Sequence, residues 1–238
     1  MSSIPHNLQV VHDAITLAAR RYDRNPTEIA LLAVSKTFSA NEVVQALQVG
    51  QKSFGENYLQ EAIDKMQQVE QLRVELSCAA TPEWHFIGPI QSNKTRPIAE
   101  HFSWVHSVDR EKIASRLSEQ RPEALGDLQV CLQVNISGEA SKSGVHPDQL
   151  LELARQVQVL PRVKLRGLMA VPEANDDIQV QRAAFQRLAQ LGQTLIQNNI
   201  AIDTLSMGMS GDMEAAIAEG STMLRVGSAI FGKRDYAV

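Results

Sequence analysis

The sequence lacks the features of a secreted or membrane protein. It has two cysteines, Cys78 and Cys131, which cannot build a disulfide framework and fit a reducing compartment. No apolar stretch approaches the roughly 18 residues that mark a membrane span, and the first residues have neither the basic nor the apolar region of a signal peptide. We therefore expect a cytoplasmic chain that makes no membrane contact.

The sequence also lacks several signals of ligand binding and catalysis. Its net charge is −4 and it has no basic stripe, so no nucleic-acid partner is expected. It contains no GxGxxG and no P-loop motif for dinucleotides or phosphates. His85, His101 and His106 are not spaced as metal ligands, and no Ser-His-Asp or Cys-His arrangement can be argued. These absences predict no metal site and no catalytic set of residues.

What is present is a regular alternation of strand and helix patterns, with 44% hydrophobic residues. Short apolar runs of the kind found in buried parallel strands alternate with stretches of helical periodicity. The predicted strands lie at 30–35, 52–54, 84–87, 104–106, 128–136, 163–171, 204–206 and 223–226. The predicted helices lie at 6–22, 40–49, 57–74, 93–101, 110–120, 147–158, 177–198 and 211–219, with a last one opening at 229–231.

Eight β/α units in 238 residues predict a single (β/α)8 TIM barrel over residues 1–238. The alternative is an open doubly wound sheet, which would carry a glycine-rich fingerprint after its first strand. The chain instead has Ser35, Lys36, Thr37 and Phe38 there. We expect a monomer with one domain.

In such a barrel the working residues lie at the C-terminal ends of the strands, and phosphate often binds after strands seven and eight. Lys36 follows the first strand, where an apolar wall would make its amine nucleophilic toward carbonyl groups. The alternative is a surface lysine whose stem covers apolar area. Asn57 follows the second strand and either binds a ligand or caps the next helix.

The loops after strands seven and eight have the composition of an anion site. Ser210 either donates to a phosphate or caps the following helix, while Gly227 and Ser228 offer close backbone approach and a hydroxyl. Arg225 alternates with apolar neighbours, and one interpretation of this pattern is that it lies inside the barrel mouth. Its alternative role is a salt bridge to a carboxylate such as Glu56.

Taken together, six ordered motifs resemble the family of pyridoxal phosphate homeostasis proteins over essentially the whole chain. The motifs are AVSKT at 33–37, FGENY at 54–58, WHFIGPIQSNK at 84–94, GLMA at 167–170, LSMGMS at 205–210 and RVGSAIFG at 225–232. Bacterial members are the most similar. The resemblance implies a barrel like the N-terminal domain of alanine racemase, and pyridoxal 5′-phosphate (PLP) as the cofactor.

The resemblance also implies a role for single residues. Lys36 matches the lysine that holds PLP as a Schiff base, and Arg225 matches the arginine that faces the pyridine nitrogen. Ser210, Gly227 and Ser228 match the phosphate-holding loops. The cofactor-binding residues that follow from it are Lys36, Asn57, Ser206, Met209, Ser210, Arg225, Gly227 and Ser228.

The family implies homeostasis of PLP, meaning binding, buffering and delivery to apo PLP-dependent enzymes, without catalysis. Arginine does not release its proton, so Arg225 would leave the ring a weak electron sink. The second domain and second base of alanine racemase are not expected in this chain. The alternatives are a weak racemase-like enzyme and a barrel that binds phosphate without PLP.

Overall fold

The computed structural model describes residues 3–137 and 143–232, in which eight parallel strands close into a barrel in chain order. The last strand pairs with the first, with Leu32 opposite Arg225. The strands are β1 Ala30–Val34, β2 Ser53–Glu56, β3 Glu83–Phe86, β4 Trp104–Val108, β5 Leu128–Gln133, β6 Val163–Met169, β7 Thr204–Ser206 and β8 Met223–Val226. The predicted (β/α)8 barrel is confirmed. The predicted single domain also includes residues 1–2, 138–142 and 233–238, which lie outside the described ranges.

A helix follows each strand, and one more helix precedes β1. The helices are α1 Ile4–Arg21, α2 Ala40–Gln48, α3 Leu59–Glu75, α4 Thr95–His101, α5 Glu111–Gln120, α6 Pro147–Gln158, α7 Ile178–Gln197, α8 Met213–Ala218 and α9 Ser228–Phe231. Short 3₁₀ turns lie at Pro26–Glu28, Ser92–Lys94 and Glu123–Leu125. The leading helix α1 packs beside α8 and α9, so it covers the seam where the barrel closes.

The element boundaries differ from the predicted ones by a few residues, for local reasons. Helix α1 begins at Ile4 because Ser3 accepts a hydrogen bond from His6 N and a proline stands in the first turn. Strand β5 ends at Gln133 rather than 136, since the next residue, Val134, makes only an isolated bridge. Apolar sequence continues beyond the paired residues there, so pattern alone does not show where pairing stops.

The outer face of the barrel is apolar and packs against the helices. The barrel interior also contains polar side chains. Trp104, Cys131 and Met169 form a small apolar cluster separate from the main core. The ring of Trp104 stacks on His85 at 5.3 Å. Cys131 is fully buried, and burial raises the pKa of its thiol to about 12. None of the helices within residues 3–137 and 143–232 has the length and apolar character needed to span a membrane.

Candidate functional site

A cavity of about 690 Å³ opens at the C-terminal ends of the strands. Seven of the eight predicted cofactor-binding residues line it, and Ser206 is the exception. The lining residues are Val34, Lys36, Asn57, Ile87, Met169, Val171, Met209, Ser210, Gly211, Arg225, Gly227 and Ser228. Side chains from six loops or strand ends, far apart in sequence, therefore meet at the mouth of the barrel, where active sites of this architecture lie.

Lys36 lies in a tight turn directly after β1. Phe38 N donates to Ser35 O at 3.1 Å and closes the turn. Thr37 has φ of 68°, a left-handed conformation that is rare for a β-branched residue. Such backbone persists only where its surroundings hold it in place, so the position of Lys36 depends on what contacts its two neighbours.

A buried ion network holds both of those neighbours. Lys65 Nζ donates to Ser35 O at 2.7 Å, to Glu56 Oε1 at 2.8 Å and to Glu61 Oε1 at 3.0 Å. The Ser35 hydroxyl donates to Glu56 Oε1 at 2.7 Å, and Thr37 N donates to Glu61 Oε1 at 2.6 Å. The residues before and after Lys36 are thus attached to a single charged cluster under the turn.

The helical pattern predicted at 57–74 does not by itself indicate this network. The signal was in the spacing of the buried residues of α3, which are Ala62, Lys65 and Val69. These positions, three and four apart, lie on one face of a helix. A lysine on that face predicts a buried cation, and a buried cation requires carboxylate or carbonyl partners.

Glu56 belongs to this network and not to Arg225. Burial raises the pKa of the Glu56 carboxyl, while the adjacent Lys65 ammonium opposes that rise. The carboxylate binds Lys65 and Ser35, and its Oε2 has no partner within the described ranges. The alternative role of Arg225, a salt bridge to Glu56, is therefore wrong.

Arg225 lies in the floor of the cavity with 4% of its surface exposed. Its Nη1 donates to Ser206 O at 2.5 Å and to Ser206 Oγ at 2.8 Å, and its Nη2 donates to Ala170 O at 2.8 Å. Three of its five N–H groups are thereby used. Burial lowers the pKa of Arg225 to about 10, partly opposed by Asp212, so the guanidinium stays charged at neutral pH.

Ser206, predicted to bind the cofactor, is fully buried beneath the cavity instead of lining it. Its hydroxyl lies 2.8 Å from both Arg225 Nη1 and His106 Nδ1. His106 in turn lies 2.9 Å from His85, and both rings are fully buried. His85 is therefore a hydrogen-bonded core histidine. No cluster of three or more potential metal ligands occurs among the described residues.

Asn57 presents an amide oxygen that no described residue uses. Its Oδ1 is buried and without a hydrogen-bond partner within the described ranges. Helix α3 begins only at Leu59, and the capping position is occupied by Tyr58, which makes no side-chain cap. The alternative of Asn57 as a helix cap is therefore wrong. Gly88 packs against it so closely that a Cβ there would lie 2.1 Å from Asn57 O.

The loop after β7 is shaped by Gly208 and Asp212. Gly208 has φ of 97°, a conformation that glycine tolerates, and Met209 N donates to Asp212 Oδ1 at 2.5 Å. Ser210 is left exposed at the rim of the cavity. Because α8 begins at Met213 with Asp212 at the capping position, the alternative of Ser210 as its cap is wrong.

The loop after β8 completes the same rim. Gly227 stands against β1, where a Cβ would lie 3.1 Å from Val34 O. Ser228 opens helix α9, whose first hydrogen bond runs from Ile230 N to Gly227 O at 2.9 Å. The N–H of Ser228 precedes that bond and has no partner within the helix. The predicted phosphate-holding residues are thus neighbours at one side of the mouth.

Comparison with known proteins agrees with the barrel fold. The family model for the N-terminal domain of alanine racemase matches residues 7–235. The chain is 54% identical over 237 residues to the pyridoxal phosphate homeostasis protein of Vibrio cholerae, covering all of this chain and 99% of that protein. It is 56% identical over 236 residues to the protein of the same name from Pseudomonas aeruginosa, covering 99% of this chain and 98% of the relative.

A solved structure with ligand is also similar. It is the protein PipY of Synechococcus elongatus PCC7942 with PLP bound, which is 35% identical. The match has a TM-score of 0.77 and covers 92% of this chain and all of that one.

Proposed function

Since the chain belongs to the alanine racemase N-terminal domain family, and within it to the pyridoxal phosphate homeostasis proteins, we propose that it binds PLP in the cavity at the barrel mouth and serves intracellular PLP homeostasis. The observation that carries the proposal is that Lys36 and Arg225 line one cavity with the serine loops. PLP has an aldehyde, a ring nitrogen and a phosphate, and this cavity offers an amine, a guanidinium and hydroxyl donors.

Unused polar groups in the cavity support the fit. Three of the five Arg225 N–H groups donate to oxygens of the protein, and the other two have no partner among residues 3–137 and 143–232. The buried Asn57 Oδ1 has no acceptor role within the described ranges. Buried polar atoms are almost always hydrogen-bonded, so a polar ligand that meets these atoms would remove their desolvation cost. We assign Ser210, Gly227 and Ser228 to the phosphate.

We assign to Lys36 the covalent attachment of PLP as a Schiff base. The turn after β1 fixes the backbone on both sides of Lys36 through Lys65, so the amine is directed from a rigid support. When bound, PLP supplies an electrophilic carbonyl carbon and an electron-withdrawing ring. Arg225, held charged in the floor, donates toward the ring nitrogen and does not pass a proton to it. That arrangement suits retention of PLP better than stabilisation of a carbanion.

The charges in the cavity also support binding over turnover. Among the described lining residues, only Lys36 and Arg225 carry ionisable side chains. Racemisation needs a proton removed from one face of the substrate carbon and returned on the other, so a second base is required within reach. We therefore propose a non-catalytic, cytoplasmic, single-domain monomer that delivers PLP to apo PLP-dependent enzymes.

Trapping by borohydride tests the PLP assignment. Purified protein incubated with PLP is expected to absorb visible light, to lose that band on reduction, and to carry the label on Lys36 by peptide mass spectrometry. Lys36→Ala should abolish the label, while Lys52→Ala, at an exposed position, should retain it. A full label in Lys36→Ala would overturn the assignment.

Transfer and turnover assays test the homeostasis part. The loaded protein is mixed with an apo PLP enzyme, and recovery of activity is compared with an equal amount of free PLP. Amino-acid turnover is followed by chiral detection. Turnover in the usual range of ~1–10³ s⁻¹, lost in Lys36→Ala, would favour the racemase-like alternative.

A further inference from the structure

A line of hydrogen bonds runs through the barrel from the cavity floor to the opposite end. Arg225 Nη1 lies 2.8 Å from Ser206 Oγ, and Ser206 Oγ lies 2.8 Å from His106 Nδ1. His106 Nε2 lies 2.9 Å from His85 Nδ1. His85 Nε2 lies 2.8 Å from an oxygen of Glu83, the first residue of β3. Glu83 is 46% exposed at this far end, whereas the two rings are fully buried.

With Glu83 as a carboxylate acceptor and both rings neutral, only one direction satisfies every bond in this line. Arg225 has only donors, so the Ser206 oxygen accepts from it and the Ser206 hydroxyl proton is free to point at His106 Nδ1. His106 then carries its proton on Nε2 and donates to His85 Nδ1. His85 likewise carries its proton on Nε2 and donates to Glu83. Ser206, His106 and His85 each donate one hydrogen bond and accept one within the line.

The charge states fit that direction. Burial lowers the pKa of both His85 and His106, which favours neutral rings. The hydrogen bond from His85 lowers the pKa of the Glu83 carboxyl, so that end is anionic. Arg225 is cationic at the other end. Hydrogen bonds that run one way between a cation and an anion strengthen one another in a low-dielectric interior.

The other ionisable groups around the line are either bound to other partners or uncharged. Arg166 pairs with Asp203 at 2.8 Å and lies over the Trp104 ring at 4.7 Å. Cys131 is an uncharged buried thiol, and Asp212 is bound to the backbone of the loop after β7. Arg225 itself forms no salt bridge within the described ranges and meets only neutral oxygens.

We propose that Glu83 is a positioning residue for Arg225, acting across the barrel through His85, His106 and Ser206 as a one-directional hydrogen-bond chain. This hydrogen-bond chain holds the guanidinium in the cavity floor. It couples the Arg225 cation to the Glu83 carboxylate, so no carboxylate has to lie beside the ligand. This use of Arg225 rests on the proposed PLP function, but the chain itself is a property of the protein without ligand.

The first test is therefore made without PLP. Ring ¹⁵N resonances of uniformly labelled protein report the tautomer of each histidine. The variants His85→Gln and His106→Gln assign the two sets of resonances. We expect His85 and His106 both to carry the proton on Nε2 and not to titrate between about pH 8 and about pH 5.5, a range that spans the ordinary histidine pKa of ~6.5. A proton on Nδ1, or a charged ring in this range, would overturn the chain whether or not PLP binds.

The second test asks whether Glu83 acts through the chain. Glu83→Gln should shift the His106 ring resonances. It should also weaken PLP binding roughly threefold to tenfold, equivalent to ~0.7–1.4 kcal/mol. The control variant Glu75→Gln, at an exposed position of α3, should have neither effect. In a Ser206→Ala background, Glu83→Gln should have no further effect on PLP affinity, because the link is already broken. An equal effect of Glu83→Gln in both backgrounds, or unmoved His106 resonances, would refute the proposal. Circular dichroism confirms that each variant folds.

Discussion

Replacing Lys65 by methionine tests whether the buried network holds the Lys36 turn. The Lys65 side chain is 5% exposed, and its ammonium contacts Glu56 and Glu61, whose side chains are 0% and 34% exposed. Methionine keeps the apolar stem and removes three hydrogen bonds, including the one to Ser35 O. Among the residues that the structure describes, Glu56 is then left as a buried carboxyl that accepts only from the Ser35 hydroxyl.

Removal of one partner from a buried ion pair costs roughly 3–5 kcal/mol, because the other charge stays buried. We expect Lys65→Met to lose that much stability by urea unfolding, and to melt roughly 6–20 °C lower for a chain of this size. Lys52→Met, at an exposed position, should change stability by less than ~0.5 kcal/mol.

A double variant separates an uncompensated charge from a packing defect. Glu56→Gln removes the stranded carboxylate, so Lys65→Met should cost less in that background, with a coupling of about 1–3 kcal/mol. Retention of PLP should fall in Lys65→Met, since the turn that carries Lys36 loses its support. A loss below ~1 kcal/mol in Lys65→Met, or strict additivity in the double variant, would refute this account of the turn.

Three further predictions follow from the geometry of the site. Ser210→Ala and Ser228→Ala should each weaken PLP binding about tenfold or more in equilibrium dialysis, because each removes a hydrogen bond to a charged group, worth ~1.5–3 kcal/mol. Unchanged affinity in both variants would place the phosphate on backbone N–H groups alone. Gly88→Ala should cost about 1–3 kcal/mol in urea unfolding, since its Cβ would lie 2.1 Å from Asn57 O; wild-type stability would contradict the packing. The pKa of Glu83 is lowered in the folded state, so its ionisation stabilises the fold above the unfolded pKa of ~4.3, and this contribution is lost as pH falls through the folded pKa. The difference in free energy of unfolding between wild type and Glu83→Gln should therefore shrink below about pH 4.5. A difference that grows there would refute the lowered pKa.

The sequence determined the barrel and much of the mouth, because both depend on local patterns. Short apolar runs separated by helical periodicity predict buried parallel strands, and their order predicts closure. A residue that follows a strand lies at the C-terminal edge of the barrel, so position alone makes Lys36, Asn57 and the loop residues Ser210 and Ser228 candidates for the cavity that they line. The resemblance to a known family then assigned a ligand to that edge.

Only the tertiary structure decided which polar side chains meet inside the barrel. Glu83, His85 and His106 share a line with Arg225 because closure of the barrel brings side chains of β3, β4, β7 and β8 together in its interior, a relation that no local pattern contains. Two kinds of local prediction were wrong for the same reason. One is the role of helix cap for Asn57 and Ser210, and the other is the pairing of Glu56 with Arg225. A buried polar group takes the partner that packing brings within about 3 Å, and that choice is made in three dimensions.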